Sequence, residues 1–269
     1  MISFDIFKDG KNKAVTMSFD DGHVQDLRLV EMFNKYGIKG TFHLNSGLFG
    51  VKSTATGRLR LTEDRIRELY DGHEVSCHST VHTTLTQLPS TEIIKDVLED
   101  RKKLEALCGY PVRGMSYPNG AYDRRVIEAL RACGIEYCRT VKSHGECFLP
   151  DDFLEWHPSY HYADALEPSK RFAVNHRTGR LMYIWGHGFE MDDTAGHWEL
   201  MEEICEALAS DKKNTWFATN IEIVDHVNAQ KGLKISADGK TVYNPFADSV
   251  WFRYDGEPVV INGGQTLYL

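Results

Sequence analysis

Three groups of residues have the types and the spacing for hydrolytic chemistry. Asp20 and Asp21 stand side by side ahead of Gly22, at the end of the apolar run Ala14–Phe19 (AVTMSF). Such a run predicts a short strand, so both carboxylates arrive together at its C-terminal tip. Gly22 then lets the chain turn away, because it carries no Cβ. Two acids at one strand tip repel each other, and a bound cation, or a partner pinning one of them, would offset that cost. The second group is His78-Ser79-Thr80-Val81-His82, whose two imidazoles face one point if a tight turn follows His78. HxxxH alone is a weak signal. Joined to Asp-Asp-Gly it supplies two histidines and one carboxylate, an open zinc set with a place left for water. The third group is Gly186-His187-Gly188, at the end of the apolar run Leu181–Trp185.

These groups need a scaffold that brings strand tips together. Apolar spacing predicts helices over Asp26–Tyr36, Thr62–Tyr70, Ser90–Cys108 and Asp123–Gly134, then near Trp198–Ala209 and on to about Ala229. Between them, short apolar runs predict strands at Ile38–Leu44, Glu74–His78, Val112–Tyr117, Ile135–Val141, Leu181–Trp185 and Trp216–Thr219. Residues 142–180, rich in His, Pro and aromatics, read as irregular. About seven strand–helix alternations imply an α/β protein with a largely parallel sheet. The polar residues of interest fall at C-terminal strand ends, where parallel barrels build their sites. From Leu233 the texture becomes short alternating strands, with Asp238-Gly239 and Asp255-Gly256 as hairpin turns. The expected division is a catalytic unit over 1–231 and a small β appendage over 232–269.

The chain's 269 residues suffice for one large core, and its formal net charge of −8, without a basic cluster, argues against nucleic acid as a partner. No apolar run approaches the roughly 20 residues of a membrane span. The opening MISFDIFKDGKNKA lacks the pattern of a secretory signal, which leads to the expectation of a cytoplasmic protein. Six cysteines without CxxC spacing read as reduced, mostly buried thiols, and Cys77 as core filler facing away from His78.

SFDDG, followed some 55 residues later by HSTVH, resembles the first two motifs of the polysaccharide deacetylases, the NodB-type family 4 carbohydrate esterases. The resemblance runs from about Ala14 to Thr219. It implies a distorted (β/α) barrel and the metal-dependent removal of acetyl groups, N- or O-linked, from a carbohydrate. Asp21, His78 and His82 would then bind one divalent ion, zinc first, with Co2+, Ni2+ or Fe2+ also suited to such ligands. Asp20 would be the general base and His187 the general acid. The segment Arg113–Gly120 is similar to the third motif, with the backbone N–H at Asn119 as oxyanion donor and Arg113 as the expected partner of Asp20. Glu155-Trp156-His157-Pro158 is similar to the fourth, with Trp156 walling the site beside the catalytic histidine. The aspartate usual in that motif is not evident here. Tyr117, Trp156 and His23 are the expected substrate contacts. Among Tyr160, Tyr162, Trp185 and Phe189, one or two are expected to offer a face to a sugar, and His43, His157 and His161 are read as structural. The partner implied is an acetylated carbohydrate, expected to be a soluble oligosaccharide. The alternatives are an allantoinase-like amidohydrolase and a catalytically silent sugar-binding protein.

Overall fold

A computed structural model describes all residues, Met1–Leu269. Its strands are β1 (Ile2–Ser3), β2 (Lys13–Asp20), β3 (Thr41–Leu44), β4 (Glu74–Cys77), β5 (Gly114–Ser116), β6 (Tyr137–Arg139), β7 (Tyr160–His161), β8 (Arg180–His187) and β9 (Thr215–Phe217). Five further strands follow: β10 (Lys234–Ile235), β11 (Thr241–Tyr243), β12 (Val250–Tyr254), β13 (Glu257–Ile261) and β14 (Thr266–Tyr268). The helices are α1 (Asp26–Tyr36), α2 (Glu63–Leu69), α3 (Ser90–Cys108), α4 (Arg124–Ala132), α5 (Leu166–Ala173), α6 (Glu190–Asp193), α7 (His197–Ala209) and α8 (Asn220–Gly232).

The main sheet is parallel throughout, in the order β6-β5-β4-β3-β2-β8-β7. β2 is its axis. It pairs along its full length with β8, from Lys13↔Arg180 to Asp20↔His187. Its other edge holds β9 over Lys13–Val15 and β3 over Ser18–Asp20. Beyond β6 lies Trp156, whose N–H donates to the Cys138 carbonyl (3.1 Å) and whose carbonyl accepts from Thr140 N–H (3.0 Å). The result is a curled, distorted half-barrel, the α/β architecture expected.

Strand parity then sorts the residues. Val15, Met17 and Phe19 of β2, with Phe42, Val75, Cys77, Met115, Cys138, Met182 and Ile184, enter a 42-residue core beneath the surrounding helices. Cys77 thus faces away from His78, and all six cysteines are unpaired. The alternate residues, among them Thr16, Ser18, Asp20, Thr41, His43, Glu74, Ser76, Tyr137, Arg139 and Tyr183, are buried too. Their polar groups are joined inside the barrel. Asn220, the first residue of α8, accepts from Thr16 Oγ1 (2.7 Å), and its N–H donates to Thr41 Oγ1 (2.9 Å). Glu74 accepts from Thr41 Oγ1 (3.0 Å), Tyr137 OH (2.7 Å) and Ile221 N–H (2.9 Å). A carboxylate at the N-terminus of α8 suits the partial positive charge there. Gly114 is required where it stands, since a Cβ would lie 2.0 Å from the Tyr137 ring.

The sequence pattern differs from the structure in two places. Residues 142–180 contain β7 and α5 rather than irregular chain. β7 is only two residues long, and α5 carries Pro168, so neither has a readable period. The C-terminal strands form two three-stranded sheets, β1-β12-β13 and β10-β11-β14, around Leu233, Val242, Val250, Phe252 and Ile261. The first of these includes β1, through Ile2↔Tyr254 and Ser3↔Arg253, so the extreme N-terminus pairs with the appendage and not with the barrel. No helix is long and apolar enough to cross a membrane.

Candidate active site

The tips of β2, β4, β5, β6 and β8 converge on one cleft. Asp20 ends β2, and Asp21 follows it in a left-handed conformation (φ 83°), with Gly22 next at φ 64°. A Cβ on Gly22 would meet Leu44 Cδ2 at 2.8 Å, so the sharp exit needs glycine for space as well as for conformation. Ser79 (φ 65°), His82 (φ 61°) and Asn119 (φ 58°) are also left-handed. Four of the chain's six non-glycine residues with positive φ therefore sit around this cleft. Each costs backbone energy that its surroundings must over-determine, a pattern typical of functional sites.

Asp21, His78 and His82 bring one ligand atom each to within 4.8 Å of one another. The two imidazoles meet edge to face at 4.8 Å, and His82 Nε2 lies 4.0 Å from Asp21 Oδ1. His78 Nδ1 lies 2.9 Å from the Ser116 carbonyl, which can only accept. Its proton therefore sits on Nδ1, and the Nε2 lone pair is free to ligate. Burial pushes His78 down to about 4, which keeps that ring neutral. Behind it, buried Asp100 accepts from the N–H groups of His78 (3.1 Å) and Ser46 (3.0 Å), fixing the loop that carries both imidazoles. Arg60 places Nη1 and Nη2 each 3.2 Å from Asp21 Oδ1 and so orients that carboxylate. Two imidazoles and a carboxylate at these separations fit one divalent cation.

Asp20 lies fully inside. Burial alone would raise its pKa, but the Arg139 guanidinium on Oδ2, with His187 when that ring is charged, holds it far below the usual carboxylate range. Ser116 Oγ donates to its Oδ1 (3.1 Å), while His78 Nε2 and His187 Nε2 stand 3.8 and 4.0 Å from Oδ2. On the other side of His187, its Nδ1 is 3.2 Å from Glu190 Oε1, an ion-pair distance off the line of a straight hydrogen bond. Burial opposes the charging of His187, yet Glu190, Asp20 and Asp21 outweigh it and raise its pKa above the ordinary value.

The structure brings together Asp20, Asp21, His78, His82, Asn119 and His187, with Tyr117, Val141 and Trp185 completing the walls. At the β5 corner, Tyr117 N–H is bonded to the Arg139 carbonyl and Gly120 N–H to the Tyr117 carbonyl. Pro118 has no N–H, so Asn119 N–H is the open donor there. Tyr117 is almost fully buried and spends its hydroxyl on the Leu154 carbonyl (2.7 Å), leaving only ring surface for the cleft. His23 lines an adjoining cavity beside Asp21.

Two expected residues are elsewhere. Arg113 precedes β5 and so lies at the opposite rim of the barrel, where it pairs with Glu136 (3.0 Å) and Asp225 (2.6 Å). The partner of Asp20 is Arg139, at the C-terminal end of β6. Trp156 is buried inside the barrel between Tyr137 and Tyr183, where it bonds to the edge of β6. The indole beside His187 is that of Trp185, 5.8 Å away and 4.5 Å from the Arg139 guanidinium. Arg139 and Glu190 escaped the sequence reading. Glu190 left a signal, since it stands three residues after His187 on a helical turn.

A family model described as polysaccharide deacetylase matches residues 7–138. Over 121 residues the chain is 28% identical to the peptidoglycan-N-acetylglucosamine deacetylase PgdA of Listeria monocytogenes. That stretch is 44% of this chain and 24% of the relative, so the match spans about a quarter of the relative's length. A solved Mycobacterium smegmatis structure, assigned as a polysaccharide deacetylase, aligns at a TM-score of 0.64 and 18% identity, covering 86% of this chain and 96% of that one. A family 4 acetyl xylan esterase from Clostridium thermocellum, solved with a cobalt ion, aligns at 0.53 and 18% identity, covering 79% and 90%. At such identities the likeness is one of fold. Over residues 7–138, just under half of the chain, the sequence is similar to the polysaccharide deacetylase family, and the fold is that of the solved polysaccharide deacetylase structures.

Proposed function

We propose that the chain is a metal-dependent hydrolase that removes acetyl groups from a soluble acetylated oligosaccharide. The observation that carries this is the placement of ionised Asp20 between a three-ligand group on one side and a protonatable His187 on the other. Asp21, His78 and His82 would hold the cation, with zinc the first choice for this donor set. When bound, it would supply Lewis acidity toward the acetyl carbonyl and make the attacking water more acidic.

Asp20 accepts the proton of that water as the new C–O bond forms. Its depressed pKa makes it a weak base, so Arg139 and Ser116 serve to aim it. Asn119 N–H stabilises the carbonyl oxygen as it gains charge, a role any residue's backbone could fill. His187, its charged form favoured by Glu190, gives its proton to the departing nitrogen or oxygen as the acetyl bond breaks. The ring of Trp185 offers an apolar wall to the sugar. The cobalt ion in the Clostridium thermocellum esterase and the glycan named for the Listeria deacetylase support the same reading.

The test is acetate release from a panel of N-acetylglucosamine oligomers and acetylated xylan and mannan fragments, with Asp20→Asn alongside. Release by the wild type and its near-loss in the variant are expected. A wild type inert on the whole panel, with the variant binding sugar equally well, would support a silent binding protein instead.

A further inference from the structure

Beside the active-site cleft, with Asp21 as the shared wall, lies a second cavity of about 350 Å³ lined by His23, Ser53, Thr56, Arg58 and Arg60. Asp21 is the sole acidic residue lining it, against two guanidiniums. The charge is concentrated in sequence as well. Between Val51 and Thr62, the segment that lines it, the chain has Lys52, Arg58 and Arg60 and no acid, in a protein of net charge −8.

The donors around this cavity are only partly used. Arg60 Nη1 is fully used by Asn45 Oδ1 (2.7 Å) and by the carbonyl and carboxylate of Asp21, while Nη2 gives one N–H to Asp21 Oδ1 (3.2 Å) and keeps the other. Arg58 lays its face on the Phe189 ring (3.6 Å to the centroid) and pairs with Asp193, whose side chain is 52% exposed. An ion pair that open holds its arginine weakly, and the remaining in-plane N–H groups are free for another acceptor. Ser53 Oγ accepts from Thr56 N–H, and Thr56 Oγ1 accepts from Arg58 N–H, so both hydroxyl protons can still be donated. His23 is only 5% exposed, its Nδ1 has no partner in the chain, and its ring is set against Phe189 at 4.9 Å. Two arginines, two hydroxyls and an unpartnered buried imidazole around one space make a cradle for negative charge.

We infer that this cavity is a subsite for an anionic group, a carboxylate or a phosphate, carried by the sugar unit adjoining the one that bears the acetyl group. The inference rests on the deacetylase reading for the identity of the substrate, but the charge preference has its own readout. Acidic acetylated oligosaccharides are then the substrate class, with neutral oligomers bound more weakly. Arg58 confers the preference, and Arg60 divides its donors between the anion and Asp21.

The test is calorimetric binding of three matched N-acetylglucosamine oligomers: neutral, carboxylate-bearing at one unit, and phosphate-bearing at that unit. Acetate release is measured in parallel. On the order of ten- to a hundredfold tighter binding of an acidic member is expected, the worth of a charge-assisted hydrogen bond. The preferred member identifies the anion. Raising the salt concentration should shrink the preference. Arg58→Gln should bring the ratio of affinities close to one, and Arg58→Lys should retain part of it. Equal affinities in the wild type, no measurable binding of either acidic member, or a preference untouched by Arg58→Gln would overturn the subsite. Charge-dependent binding without acetate release from any member would support the subsite and remove the deacetylase reading alone.

Discussion

A carboxylate as deeply buried as Asp20 stays ionised because Arg139 stands on it, and removing one partner of such a pair leaves an uncompensated charge. Arg139→Met should therefore destabilise the protein by about 3–5 kcal/mol in denaturant titrations and abolish turnover. Arg113→Met, at a half-exposed cluster on the far rim, should cost about 1 kcal/mol or less and leave turnover near normal. Equal effects from the two would undo the assignment. Asp20→Asn should retain bound metal while lowering kcat by about two to four orders of magnitude. For His187, the carboxylate of Glu190 stabilises the charged ring, so Glu190→Gln should lower its pKa. The alkaline limb of the kcat profile should then move to lower pH, and an unmoved limb would take His187 out of the acid role. The grouping of Asp21, His78 and His82 was legible because each sits in a short local motif. Arg139 was not, because its 119-residue separation from Asp20 is bridged only by sheet pairing. Trp185 stood among four candidate sugar faces, and strand parity could have singled it out, since residues two apart on a strand share a face and His187 is two residues on.

At the scale of elements, the site depends on loops locked from behind. Asp100 on α3 holds the first turn of the His78 loop through two backbone N–H groups, one of them from Ser46 in the neighbouring loop. Asp100→Ala should weaken metal affinity by about 10–100-fold, the usual cost of losing support behind a ligand, with little change in far-UV circular dichroism. Metal titration reads this directly, and an unchanged affinity would show that the loop holds its shape without Asp100. Most helices were legible from apolar spacing and their ends from caps such as Asp123, whose side chain accepts from Val126 N–H. The strand–helix rhythm carried the parallel sheet, while the barrel came from the resemblance of the SFDDG and HSTVH motifs. β7 and α5 were hidden because two residues show no alternation and a proline interrupts a short helical period. The pairing of β1 with β12 was equally hidden, being a contact between opposite ends of the chain.

For the molecule as a whole, buried carboxyls set the response to pH. Burial pushes Asp26, Glu74 and Asp100 up to about 7, above their unfolded values near 4. The folded chain therefore binds more protons than the unfolded one between those limits, and stability falls as pH rises through 7. Asp20 and Glu190 shift the other way. Burial opposes their ionisation, but Arg139 and His187 beside Asp20, and His161 and His187 beside Glu190, outweigh it, so their contribution is lost as pH falls below about 4. Tm should be highest at about pH 4 to 5, fall toward about 7 and level off above it, and Glu74→Gln should flatten that decline in thermal scans. A Tm rising steadily through pH 8 would contradict this. The most direct test of the account is metal reconstitution. Protein stripped of metal and titrated with Zn2+ should regain acetate release in step with one bound ion per chain, and His78→Ala should bind none. Full acetate release by the stripped protein, or by His78→Ala, would contradict it.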